Sequence, residues 1–286
     1  MSVDSPDTAT FLKEDADLNA QVVEALLEED TRSRNRITEN GIMVLLKATV
    51  SEDIRMPTTD ELITMRVWID EGRVISTQER DSDPILRLDE TLNIGGGPST
   101  STEFLTDLLE FHISGFDHIV EQAEDDIRSL DELIVQGKLD ELCSLLADVQ
   151  KRTTTLLRHL SPQRQVLERL VSAEHRLIDD TARGQFEGHL NHLLRLLETL
   201  QAIRERADIL HSQHERILDR DQSRVAHLFA VIATVFLPLG FITGMWGVNL
   251  NGIPMAEHAE GFSILIAICF VLMIVLLLLF KFRRMF

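Results

Sequence analysis

The chain is 286 residues long, 44% hydrophobic and 26% charged, with a formal net charge of −19 and two cysteines. So acidic a balance argues against nucleic acid as a partner, because the phosphate backbone would be repelled. Cys143, in a predicted soluble helix, and Cys269, inside a predicted membrane span, offer no disulfide framework and no clustered metal site.

The N-terminus, MSVDSPDTATFLKEDADL, has no basic start and no apolar run, so it does not read as a secretory signal. Leu18–Leu27 has helical apolar spacing and ends in acidic residues. Gly41–Val50 and Leu62–Asp70 are rich in β-branched and large apolar side chains and predict strands. Arg73–Gln78 follows the second across Asp70, Glu71 and Gly72, a hairpin signal. Residues 1–94 are therefore expected to form an N-terminal α/β domain.

The stretch GGGPSTST, Gly95–Thr102, lacks the Gly-Lys-Ser/Thr of a phosphate loop and reads as a linker ending in a helix N-cap. Helices are predicted over Glu103–Gln136, Leu139–Leu160 and Pro162–Asp180, with breaks at Gly137 and at Ser161-Pro162. They make residues 95–184 a helical region.

A stalk is expected over residues 185–224. His189–Leu237 runs 49 residues without glycine or proline, and Leu193, Leu197, Leu200, Ile203, Ala207, Leu210, His214 and Ile217 recur every three or four positions. That stripe calls for a partner helix, and self-association is the economical way to supply one. The pairs His189/His192 and His211/His214 could each offer two zinc ligands. Two ligands do not close a site, and no Cys or third His accompanies them in sequence, so the pairs are read as stalk packing and solvation. The metal-site assignment stays unknown.

Nothing breaks the pattern before the apolar run at residues 225–245, so stalk and first span are expected to form one rod of roughly 90 Å. This span includes the polar His227 and Thr234, and residues 262–280 form a second span containing Ser263. Each is long enough to cross ~30 Å of hydrocarbon. Residues 225–280 hold no Lys or Arg, whereas Lys281, Arg283 and Arg284 fall in the tail 281–286. The connection 246–261 carries Glu257 and Glu260 but no basic residue. Both termini are therefore expected in the cytosol and the connection outside. Without the spans, connection and tail, residues 1–224 carry −20, which serves solubility or gathers cations.

Ser223, Ala226, Ala230, Ala233, Leu237, Gly240 and Gly244 share one helical stripe, with Thr234 near it. Small residues there permit close helix packing or, if several copies turn the stripe inward, line a narrow pore. Pro238 cannot donate to the Thr234 carbonyl, which frees an acceptor in mid-span. In the following GMWGVNLNGIP, Gly244 and Gly247 let the backbone turn and bring Asn249 to the axis. A ring of Asn carboxamides would meet the hydration water of a divalent cation without holding the ion as carboxylates do. A plain turn between spans is the alternative. His227, near the cytosolic end of the span, suits proton relay or a helix interface.

The segment FLPLGFITG, then Gly247-Val248-Asn249 and Gly252-Ile253-Pro254, together with TMRVWIDEGRVISTQER and LSPQRQVLERL, resembles the CorA superfamily of metal ion transporters over nearly the whole chain. Gly-Val-Asn in place of Gly-Met-Asn is similar to the ZntB zinc-transporter branch. The resemblance implies an α+β cytosolic domain whose long helices lead into a two-span α-helical transmembrane region, assembled as a funnel-shaped homopentamer in a bacterial inner membrane. It further implies a filter of Gly247, Val248 and Asn249, a pore lined by the first span, attraction of cations by Glu257 and Glu260, and proton-coupled Zn²⁺ uptake without a resident cofactor. Relatives often have Asn at the position of Ser223, a bulky residue at Ala226 and Thr at Ala230, implying a wider lower pore here. They usually begin with a further Trp-containing strand, implying a truncated chain or a sheet that starts differently. A CorA-like Mg²⁺ or Co²⁺ channel is the nearest alternative. A membrane-anchored scaffold, which would not need Asn249, is another. No nucleophile motif, metal-ligand run or phosphate loop points to an enzyme.

Overall fold

A computed structural model of the chain describes residues 1–3, 5–16, 18–28, 32–50, 62–136, 139–248 and 260–282. Packing divides it into two units, Met1–Ser212 and Gln213–Phe286.

The first unit opens with α1 (Pro6–Thr10), a π-helical turn (Phe11–Asp15) and α2 (Ala20–Leu27), followed by β1 (Arg34–Thr38), β2 (Gly41–Ala48), β3 (Ile63–Ile69) and β4 (Val74–Thr77). The strands form one antiparallel sheet in the order β1-β2-β3-β4, with Val44 opposite Val67 and Trp68 opposite Ile75. Helices cover both faces. Met43, Leu45, Trp68 and Ile75 pack with Leu12, Val22 and Leu26 on one side. Ile42, Val44, Met65 and Val67 join the large helical core on the other. Because β2 and β3 are buried along their whole length, they read as near-continuous apolar runs. Gly41 is required by close approach: a Cβ there would lie 2.3 Å from the Ile69 carbonyl oxygen and 2.5 Å from the Trp68 ring.

Besides α1 and the π-helical turn, β1 and α3 (Asp83–Asn93) were not anticipated. Among the described residues β1 has a single neighbouring strand, and its Arg34-Asn35-Arg36 core carries no apolar run because an edge strand is half solvated. Helix α3 buries Pro84 and Leu88. The first residues also lie against β4, where Val3 N–H donates to Gln78 O at 3.0 Å and Gln78 N–H to Met1 O at 3.1 Å.

Beyond the glycine linker come α4 (Ser101–Ser114), α5 (Asp117–Gln136), α6 (Leu139–Ser172) and α7 (Asp180–Trp246). Thr100 caps α4 as expected, accepting from Glu103 N–H at 3.1 Å, while the Glu103 carboxylate accepts from Ser99 N–H at 2.6 Å.

Three expectations need correction. Residues 103–136 do not form one helix: Gly115 and the fully buried Phe116 turn the chain between α4 and α5. Residues 139–160 and 162–180 are not separate helices, for α6 runs through Pro162. The proline forfeits the hydrogen bond to the Arg158 carbonyl, yet Leu156, Leu160, Val166 and Leu170 carry one buried stripe across it, and that burial outweighs a lost bond. Finally, the stripe Leu193, Leu197, Leu200, Ile203, Ala207 and Leu210 needs no second copy, because it is buried in the chain's own core with α5 and α6 residues. Polar ties flank this packing: Arg206 Nη2–Asp131 Oδ1 at 2.5 Å and Gln150 Nε2–Asp208 Oδ1 at 2.9 Å.

The second unit contains the remainder of α7, continuous through Pro238, and α8 (Gly261–Phe282). Both helices are long and apolar enough to cross a membrane, and no residue in the most apolar window of α8 is buried. The α/β part, the long helix and the two apolar helices match the two-span architecture expected from the sequence.

Candidate functional site

The first span shields one side of itself. Val231 and Val235 are buried, and His227, Pro238, Leu239, Ile242 and Trp246 are half-buried, all within one broad stripe of α7. On α8, Leu265, Cys269, Leu272, Met273 and Leu276 form the corresponding half-covered stripe. Ser223, Ala226, Ala230, Ala233, Thr234, Leu237, Gly240 and Gly244 lie on the other side of α7, all exposed. Leu237 is 73% exposed, and a Cβ at Gly240 or Gly244 would meet nothing within 4 Å. The small stripe therefore takes no part in packing among the described residues. Exposed phenylalanines, Phe229, Phe236 and Phe241, border it.

Local backbone chemistry explains how the span ends. Thr234 donates its hydroxyl to Ala230 O at 2.7 Å, one turn before the Thr234 carbonyl that Pro238 leaves without a helical N–H. Thr243, which the sequence reading passed over, donates to Leu239 O at 3.0 Å; as a second hydroxyl in an apolar span it was the signal to notice. Gly247 N–H bonds to Thr243 O at 3.0 Å and Gly244 O at 3.1 Å, closing the last turn, with Val248 46% exposed just beyond. Asn249 and Glu257 lie outside the described residues. Glu260 is exposed beside the start of α8, where its carbonyl accepts from Ile264 N–H at 3.1 Å. His227 falls with the shielded residues rather than the exposed stripe.

The stalk histidines have structural partners. His192 Nε2 lies 2.6 Å from Asp117 Oδ1. His189 has its pKa lowered, chiefly by burial, against the opposing pull of Glu110. His211 and His214 are also partnered. Among the described residues, no group of three or more His, Cys, Asp or Glu side chains is placed to hold a metal ion.

Comparison with known proteins supplies what the site alone leaves open. Residues 1–284 match the family model described as "CorA-like Mg2+ transporter protein". The chain is 31% identical over 265 residues to the "Divalent cation transporter CmaX" of Pseudomonas aeruginosa, covering 90% of this chain and 77% of that one. It is 29% identical over 263 residues to the "Zinc transport protein ZntB" of Cronobacter sakazakii, covering 91% and 79%. Full-length CmaX has a solved structure that superposes with a TM-score of 0.80 at 26% identity, over 99% of this chain and 86% of that one.

Proposed function

Because this chain belongs to the CorA-like Mg²⁺ transporter family and is thereby a divalent cation transporter, we propose that its ion is Zn²⁺, taken up through the axis of a homopentamer in a bacterial inner membrane. The observation that carries this reading is the exposed stripe from Ser223 to Gly244, whose small residues face away from the side α7 shields. Five such stripes around an axis would leave a narrow channel, with the Thr234 carbonyl near its middle and Gly247, Val248 and Asn249 at its outer mouth. Glu257 and Glu260 would raise the cation concentration there. The ion is cargo, and the reading requires no resident cofactor. His227 is the candidate for proton coupling.

Zinc rests on the name of the ZntB relatives and on Gly-Val-Asn at the mouth. Mg²⁺ is the second reading, favoured by the description of the family model. Purified protein in liposomes, loaded with a fluorescent indicator and offered Zn²⁺ or Mg²⁺ with and without a pH gradient, separates them. Zn²⁺ entry accelerated by a gradient supports the proposal, and Mg²⁺ entry without Zn²⁺ entry overturns it.

A further inference from the structure

Within the unit Met1–Ser212, a groove of about 1090 Å³ lies between α2 and the free edge of the sheet at β1. It is at the large end of small-molecule sites. Its floor includes the apolar Val23 and Met43, polar groups make up more than half of the lining, and the rim carries Lys13, Arg34, Arg36 and Arg169. These cations come from the turn after α1, from β1 and from α6, so only the fold brings them together. Strand alternation sets Arg34 and Arg36 on one side of β1 and Asn35 on the other. Asn35 is buried and donates to Val166 O at 3.0 Å, which fixes α6 beside the strand one turn before Arg169.

Among the described residues, the rim has more positive charge than its neighbours neutralise. Arg34 is paired with Glu28, and Glu24 is the other carboxylate lining the groove. Arg36 donates to the neutral Gln21 amide at 2.7 Å. Neither Lys13, Arg36 nor Arg169 has a carboxylate partner among the described residues. In a chain of net charge −19, a concave site with surplus cations runs against the background. Screening over ~8 Å makes the nearby cations, not the distant acids, decide what binds. Protection of an edge strand from unwanted pairing would explain Arg34 and Arg36. It would not explain Lys13 and Arg169, which are on helical segments facing the same groove.

We infer that this groove binds a small phosphorylated molecule with an apolar body, the chemical class that includes nucleoside di- and triphosphates. Arg36 and Arg169 present guanidinium forks to phosphate oxygens, Lys13 adds a point charge, and the floor takes the uncharged portion. The site lies within the unit Met1–Ser212 and does not depend on which ion is carried.

Calorimetric titration of the full chain in detergent tests this, with EDTA present so that no divalent ion bridges ligand and protein. ATP and inorganic pyrophosphate are the probes. ATP is expected to bind saturably, once per chain and more tightly than pyrophosphate, which leaves the floor empty. Arg36→Gln and Arg169→Gln should each weaken ATP by about tenfold. Arg164→Gln, an exposed α6 arginine paired with Glu168, should bind as wild type. Lys13→Gln removes a rim charge whose side chain makes no hydrogen bond among the described residues and so guards against misfolded variants; it too should weaken binding. Absence of saturable ATP binding, or equal affinity in wild type and all rim variants, would overturn the inference. So would a change of oligomer size in Lys13→Gln without ATP binding by wild type, since the groove would then be covered by a neighbouring copy.

Discussion

His112 of α4 and Gln163 of α6 meet in the core, with His112 Nε2 and Gln163 Oε1 2.6 Å apart. Gln163 Nε2 donates to Lys47 O of β2 at 3.0 Å, so its Oε1 is the acceptor and His112 Nε2 carries the proton. One polar chain thus ties two helices to the sheet. His112 Nδ1 is left buried without a hydrogen-bond partner among the described residues, and the Phe116 ring packs edge-on with centroids 5.4 Å apart.

Burial pushes the His112 pKa down to about 4, although the Gln163 hydrogen bond pulls upward. Unfolded chain takes up the proton near pH 6.5, before the folded chain does. The stability from a neutral His112 is therefore complete above pH 6.5 and falls as pH drops toward 4, by about 3 kcal/mol across that window. His112→Leu should remove this slope while lowering stability at pH 7 through the stranded Gln163 oxygen. Thermal unfolding in detergent at pH 7 and pH 5 tests it, and an unchanged pH dependence in the variant would refute the assignment.

Leu200 is fully buried in the chain's own core. Leu200→Ala is expected to cost about 3 kcal/mol, from lost burial and the cavity left behind. Since the contact is internal to one chain, light scattering should give the same oligomer for variant and wild type, a pentamer under the proposed function. Dissociation of the variant into single chains at unchanged thermal stability would show that the stripe instead joins copies.

Topology can be read by labelling single cysteines in a background lacking Cys143 and Cys269. Glu260→Cys is expected to react with an impermeant reagent applied to intact cells, and Phe282→Cys only after permeabilisation. The reverse pattern would turn the proposed filter toward the cytosol.

Asn249→Ala should abolish Zn²⁺ flux in liposomes while leaving the pentamer intact, because it removes a carboxamide and alters no apolar packing surface. Asn249→Asp should retain ion binding but slow release, as a carboxylate ring holds a divalent ion more tightly. Near wild-type flux in intact Asn249→Ala pentamers would leave GMWGVNLNGIP as a turn between spans.

The apolar runs of β2 and β3, the capped start of α4, and the two spans were legible because each is encoded locally, by side-chain period, cap chemistry or length. Recognition of the family rested likewise on contiguous segments such as FLPLGFITG. Local signals failed where burial across distant segments decided the outcome. Pro162 reads as a break, yet α6 continues through it because the core stripe on either side does not change face. The Leu193–Leu210 stripe demanded a partner, but a period cannot say whether that partner is another copy or the chain's own α5 and α6. The meeting of Lys13, Arg36 and Arg169 was equally invisible, since no spacing in sequence relates residues brought together only when α6 docks beside β1. Sequence determined β2, β3, the start of α4 and the two spans; tertiary packing decided where the other helices break, which faces were satisfied within the chain and which remained open, because burial depends on neighbours that local periodicity does not identify.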